Sequence, residues 1–208
     1  MDNKQAIKLV EQGYNKIYRN YNKNRQMKND KALIVKFAES FTRNAKVLDV
    51  GCGSGKVAAL LSNYGLRVIG IDISKNMLKL AKENSPKSRF YLMNMKDMNF
   101  PTKSFDGVIS LYAIIHLPRR YHYEVLKRMY KFLKPGGKLL ISVGRSDSKE
   151  WFEENWHGGR MYWSHFSRKK NEDLIANAGF KIKHSYVIGS PNDKHVFIFA
   201  GKPASKNL

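Results

Sequence analysis

The stretch VLDVGCGSGKV, residues 47–57, is where residue types and spacing come nearest to chemistry. Gly51, Gly53 and Gly55 follow an apolar run and open a helical pattern. Backbone N–H groups there can approach a nucleotide or nucleoside with no Cβ in the way. Three cradles share this outline. A P-loop needs G-x-x-x-x-G-K-[ST]. Val50 stands where its first glycine belongs and Val57 where its magnesium-holding hydroxyl belongs, so that reading is rejected. A dinucleotide fingerprint needs G-x-G-x-x-G. Lys56 occupies the third glycine position, where a side chain obstructs close helix–strand packing. The remaining pattern, acid-x-G-x-G-x-G, is filled by Asp49, Gly51, Gly53 and Gly55. Asp72 lies 21 residues after Gly51 at the end of another apolar run. A carboxylate there can accept hydrogen bonds from both hydroxyls of a ribose.

Other candidates lie further along. His116 follows a third apolar run, and its ordinary pKa makes it a usable base near neutrality. Packing beside a ligand is the competing reading. The segment EWFEENWHGGRMYWSHF, 150–166, concentrates aromatic residues and two histidines. Trp156, Tyr162, Trp163 and His165 from this segment, with Tyr18 and Tyr21 from the N-terminal stretch, are expected to bind an acceptor. A small satellite core is the alternative, and packing explains Tyr14 as easily as a lid does. Cys52 is the only cysteine, which excludes an intramolecular disulfide and any multi-cysteine zinc or iron–sulfur site. No metal is expected.

The elements that must position these groups follow from periodicity. Residues 4–21 place Ile7, Val10, Tyr14, Ile17 and Tyr21 at three-and-four spacing, which predicts an amphipathic helix. A second helix is predicted over 28–41. Strands are predicted at 46–50, 67–72, 89–93, 105–111, 138–143, 181–188 and 195–200. Helices between them are predicted at 57–64, 76–84 with Ser74 as cap, 121–133 ended by PGG, and 169–178. This alternation specifies an α/β, doubly wound, mainly parallel seven-stranded sheet. The last two strands are joined by GSPND, too short for a parallel crossover, so the closing pair is antiparallel. Ligands in such sheets bind at the carboxyl ends of the strands, where the glycine turn falls. The segment 145–168, between the fifth strand and the next helix, then lies over that edge as an aromatic active-site insertion. Residues 1–45 supply lid helices, and 1–208 is expected to form one domain.

Composition bounds the rest. A hydrophobic fraction of 42% over 208 residues suits a globular domain with its own core. No run approaches the ~18 apolar residues of a membrane span, and MDNKQAIKLVEQ lacks a charged-then-apolar layout. A cytoplasmic protein without membrane contact is the expectation. Lys+Arg number 38 against Asp+Glu 17, a net charge of +21 that attracts polyanions. Nucleic acid is therefore a candidate partner, although the charge is spread along the chain. The densest region, 118–138, has seven basic residues and one acid. Lysine-rich composition for solubility is the competing reading.

The motif set resembles the class I S-adenosylmethionine-dependent methyltransferases, of the small "methyltransferase type 11" kind. Beyond the acid-glycine turn and Asp72, MNMKDMNFPTKSFDGVIS is similar to that family's segment before the fourth strand, and LKPGGKLLISV to its turn into the fifth. Four segments in order cover roughly residues 40–145. The resemblance implies S-adenosyl-L-methionine as cofactor, held by Asp49, Gly51, Cys52, Gly53, Gly55, Asp72, Ile73, Asn94, Met95 and Leu111. It implies that Asp49 orients the ammonium end, and that Cys52 packs and does no chemistry. Asn94 replaces the usual acid near the adenine amine, and Met95 supplies a backbone contact to the ring.

The cofactor carries the reactive group, so the protein mainly orients reactants, excludes water and sometimes supplies a base. No cysteine follows the fourth strand, which argues against cytosine-carbon methylation. SLYAIIHL stands where exocyclic-amine enzymes carry an NPPY-like tetrapeptide. A small-molecule acceptor methylated at oxygen or nitrogen is expected. The alternatives are an RNA-modifying methyltransferase, since the region around His116 is distantly similar to wobble-uridine esterifying enzymes, or a cofactor-holding partner subunit without turnover.

Overall fold

The computed structural model describes residues 2–24, 27, 30–190 and 193–204. Its apolar runs form a seven-stranded sheet from β1 (Lys46–Val50), β2 (Arg67–Asp72), β3 (Arg89–Leu92), β4 (Phe105–Ser110), β5 (Leu133–Gly144), β8 (Lys181–Ser190) and β9 (Asp193–Gly201). The spatial order is β3-β2-β1-β4-β5-β9-β8. β1 to β5 pair in parallel, and β9 runs antiparallel between β5 and β8. The doubly wound sheet with an antiparallel closing strand is thus the observed architecture.

Strands covered on both faces read as continuous apolar runs. β1 is KVLDV, and its Val47, Leu48 and Val50 are fully buried. Its alternate residues feed two cores. Val47, Ile109 and Leu140 pack with Phe37 and Leu61 beneath α2 (Lys31–Glu39) and α3 (Lys56–Asn63). Leu48, Val108 and Ile141 pack with Met129, Phe132 and Ile175 beneath α5 (His122–Phe132) and α6 (Arg168–Asn177). Ser74 caps α4 (Lys75–Asn84) by accepting from the Met77 N–H at 3.1 Å, as expected.

Several boundaries differ from the sequence reading. The second helix begins at Lys31, and residues 28–29 of its expected span lie outside the described residues, as do Pro191 and Asn192 of the closing turn. PGG does not simply end a helix. α5 stops at Phe132, and Leu133 already pairs with Phe105. Lys134–Gly137 then bulges before Lys138 resumes the ladder opposite Gly107. Gly136 takes φ 78°, which a bulge of this kind allows without strain.

The aromatic insertion is a β-hairpin, β6 (Ser148–Trp156) and β7 (Gly159–His165), separate from the main sheet. Its two-residue loop is His157-Gly158, with φ 52° and 95°. A type I′ turn needs positive φ at both central residues, so the His-Gly pair was a hairpin signal that the sequence reading passed over. α1 (Asn3–Asn24) packs on β7, joining Ala6, Val10 and Ile17 to Met161 and Tyr162 in a third core. A Cβ on Gly13 would lie 2.6 Å from the Arg160 carbonyl, so this helix and strand meet backbone to backbone. The expected lid helix and the aromatic insertion are therefore one packed unit. Asn15 ties it to the start of α4: its Oδ1 accepts from Ser74 Oγ at 2.8 Å and from the Asn76 N–H at 3.2 Å.

Candidate active site

The carboxyl ends of β1, β2 and β4 open into a cavity roofed by Ile7, Val10, Tyr14 and Tyr21 of α1. The glycine turn forms its floor. The Gly51 and Cys52 N–H groups both donate to the Ile71 carbonyl at 2.9 Å. Gly51 has φ 75°, and a Cβ there would lie 2.3 Å from that of Ala113. Gly53 faces open space in the cavity wall. Gly55 begins α3 and rests on Ala81 of α4. Cys52 is buried behind the turn, where burial pushes its thiol well above the usual range.

Asp72 holds this turn from β2. One carboxylate oxygen accepts the Gly53 N–H and the other the Ser74 N–H, each at 2.8 Å. Each oxygen keeps a further lone pair. Burial pushes Asp72 up to about 6 against the lowering effect of the Ser74, Gly53 and Ile73 N–H groups. Asp49, 2% exposed, is pushed to about 8 by burial and then by the charge of Asp72. Its Oδ2 is buried without a hydrogen-bond partner. A buried carboxyl pair with unmet accepting capacity is suited to a cation and to hydroxyl donors.

The other cavity walls are mostly apolar. Ile73, Met93, Met95 and Leu111 line it together with Asn94. Asn94 Oδ1 accepts the Lys96 N–H at 2.9 Å and retains one lone pair. Tyr112, at φ 57°, turns the chain out of β4, and its N–H donates to the buried Ser142 hydroxyl at 2.6 Å. Next to it, the short 3₁₀ turn Ile114–His116 presents His116 to the cavity.

His116 has a fixed tautomer. Its Nδ1 lies 2.8 Å from the Tyr162 carbonyl, which can only accept, so Nδ1 carries the proton. Nε2 then accepts from the Tyr14 hydroxyl at 2.8 Å. Burial lowers the His116 pKa to about 4.

His116, Tyr14, Tyr21 and Tyr112 also line a second, open cleft. Trp156, Trp163 and His165 belong to its wall. The rings also pack on one another, with Trp156–Trp163 centroids at 5.1 Å and Tyr14–Trp156 at 5.8 Å. The segment is thus both cleft wall and satellite core. Tyr18 and Tyr162 are not brought to either cavity. Tyr18 lies one helical turn beyond Tyr14 on α1, half-buried with the Arg19 guanidinium over its ring, and the Tyr162 side chain is buried against Phe152 while its carbonyl serves His116. Tyr14 and Tyr112 are the residues at this junction that sequence reading did not assign to the site. Tyr14 has the three-and-four helical spacing as a signal; Tyr112 has none.

The basic helix lies elsewhere. Lys127 and Lys131 line a surface groove with Lys103 and Lys202, beside the start of β4 and so at the opposite end of the sheet from the glycine turn. Arg128 donates to the Met98 carbonyl, and Lys134 pairs with Asp106. Among the described residues no helix is long and apolar enough to cross a membrane, and no group of three metal-binding side chains occurs.

Comparison with known proteins agrees with this geometry. Residues 48–141 match the family model described as a methyltransferase domain. A phosphoethanolamine N-methyltransferase of Plasmodium falciparum is 34% identical over 117 residues, 54% of this chain and 42% of that protein. The O-methyltransferase rstn1 of Aspergillus nomiae is 31% identical over 110 residues, 50% of this chain and 48% of its own. The chain thus spans less than half the length of these two relatives. The structure of the Burkholderia thailandensis 1,6-didemethyltoxoflavin-N1-methyltransferase with S-adenosylhomocysteine superposes with a TM-score of 0.77 at 20% identity, covering 98% of this chain and 91% of that one. Residues 48–141 are thus similar to methyltransferase domains, and the chain has the fold of the S-adenosylmethionine-dependent methyltransferases. The site fits their cofactor, S-adenosyl-L-methionine: Asp49 Oδ2 awaits a cationic donor, Asp72 has capacity for ribose hydroxyls, and the apolar walls suit a flat ring.

Proposed function

We propose that this chain transfers a methyl group from S-adenosylmethionine to an oxygen or nitrogen of a small molecule held in the aromatic cleft. The observation that carries this reading is the junction itself: Tyr14, Tyr21, Tyr112 and His116 line both the cofactor cavity and the cleft. The cofactor, when bound, supplies the electrophilic methyl. The chain's residues orient and shield. Asp49 and Asp72 hold the ammonium end and the ribose; Ile73, Asn94, Met95 and Leu111 flank the ring. α1 and the β6–β7 hairpin exclude water from the junction, which strengthens electrostatic contacts there.

In this reading His116 is a positioning group. With its pKa lowered to about 4, it is a weak proton acceptor at neutral pH. Its fixed tautomer presents a lone pair that takes the Tyr14 hydroxyl proton in a hydrogen bond and leaves the phenol oxygen's lone pairs for a donor group on the acceptor. The N- and O-methyltransferases among the relatives support a small acceptor and leave both atoms in view. The test is S-adenosylhomocysteine production with fractionated small metabolites as acceptor. Turnover dependent on a metabolite fraction and reduced by Tyr14→Phe supports the reading; turnover only with RNA refutes it.

A further inference from the structure

The acceptor cleft changes character along its length. Near His116 its walls are aromatic, and where β5 ends and β9 begins it becomes basic. The last cross-strand pair is Gly144 with His195, so the next residues outward, Arg145 and Lys194, stand across from each other. Both line the cleft and both are exposed. Among the described residues, neither has an ion-pair or hydrogen-bonding partner for its charged group. The fold thus brings two cations, with no partner for their charged groups among the described residues, to one end of the cleft.

The surroundings reinforce this. The His165 ring lies over Gly144, where a Cβ would come within 2.4 Å of it. Its Nδ1 donates to the Ser146 carbonyl at 2.7 Å, which holds the ring in the cleft wall. The adjacent acid, Asp147, is taken by Arg119 at 2.7 Å. The acids that do line the cleft, Asp30 and Glu153, come from the start of α2 and from β6, and neither pairs with Arg145 or Lys194. A guanidinium beside an ammonium matches the oxygens of a carboxylate or phosphate.

We infer that Arg145 and Lys194 form an anion subsite, and that the methyl acceptor is a small molecule with a carboxylate or phosphate at the end remote from its nucleophile. The inference rests on the cleft being the acceptor site. It is tested on the protein saturated with S-adenosylhomocysteine, by calorimetric titration with benzoate, phenyl phosphate and benzamide, which share a ring and differ in the head group. Benzoate or phenyl phosphate should bind about tenfold or more tightly than benzamide, as expected for a charge-assisted contact. Which of the two binds better separates a carboxylate site from a phosphate site. The double variant Arg145→Gln/Lys194→Gln should lose that preference and keep its benzamide affinity. The single variants serve if the double one no longer binds S-adenosylhomocysteine. The α5 control Lys127→Gln/Lys131→Gln should keep the preference.

Equal binding of benzamide, absence of binding by all three probes, or a preference that survives in the subsite variants would overturn the inference. Equal loss in the α5 control would do the same, because net charge alone would then explain it. The two readings fail separately. Anion preference without methylation of any acceptor refutes the transfer reading alone, whereas equally efficient methylation of uncharged and anionic acceptors refutes the subsite alone.

Discussion

Cofactor binding should be coupled to proton release from Asp49. Burial and the neighbouring Asp72 charge push its carboxyl to about 8. A ligand ammonium against the unpartnered Oδ2 favours the carboxylate, so binding selects the ionised form. At pH 6 roughly one molecule in a hundred has Asp49 ionised, and at pH 8 about half do, so affinity should rise about fiftyfold between those values. Asp72, at about 6, adds a smaller increment at the acid end. Calorimetric titration with S-adenosylhomocysteine at pH 6, 7 and 8, in buffers of different ionisation enthalpy, measures the affinity and the protons together. Asp49→Asn should abolish the rise and weaken binding at pH 8. The sign for stability is opposite. A carboxyl raised from 3.8 to about 8 contributes stability that is full below about 4 and lost as pH climbs through 8. The Asn variant should therefore melt higher than the parent at pH 8 without ligand, and show no such gain at pH 4. Affinity that stays flat from pH 6 to 8, with no proton released, would refute the reasoning.

Asp72→Ala should weaken S-adenosylhomocysteine binding by ~1–3 kcal/mol by calorimetry, because hydroxyl contacts and the anchor for the Gly53 and Ser74 N–H groups are lost together. Tyr14→Phe and His116→Ala should each lower turnover by about tenfold with little change in cofactor affinity, and the double variant should be no worse than either single one; the pH–rate profile should show no inflection near 6.5 from a histidine already lowered to about 4. Gly13→Ala puts a methyl 2.6 Å from the Arg160 carbonyl and should cost ~1–3 kcal/mol in chemical denaturation by separating α1 from β7. Polyanion binding should be non-specific and fall linearly with log salt, and Lys127→Glu/Lys131→Glu should weaken it in filter binding while cofactor affinity is unchanged.

Much of the fold was legible because its signals are local. Buried strands such as VLDV and RVIGID are continuous apolar runs, and Ser74 marks its helix start by capping chemistry. The floor of the cavity was legible because Asp49 and Gly51 lie in one glycine turn and Asp72 follows at a fixed spacing at the end of the next strand. The acceptor side was not, because its contacts span the chain. Tyr14 meets His116 across 102 positions. Arg145 faces Lys194 only because β9 inserts beside β5. The basic region 118–138 was legible as a charge cluster, and the structure puts Lys127 and Lys131 of its helix on one groove at the opposite end of the sheet from the glycine turn.

The central claim is methyl transfer to a small molecule in the aromatic cleft. Its most direct test is incubation of the protein with methyl-labelled S-adenosylmethionine and separate small-metabolite, RNA and protein pools, with S-adenosylhomocysteine quantified in each. The account predicts label in the metabolite pool in equal amount to the S-adenosylhomocysteine formed. Label confined to RNA, or tight cofactor binding with no S-adenosylhomocysteine from any pool, would contradict it.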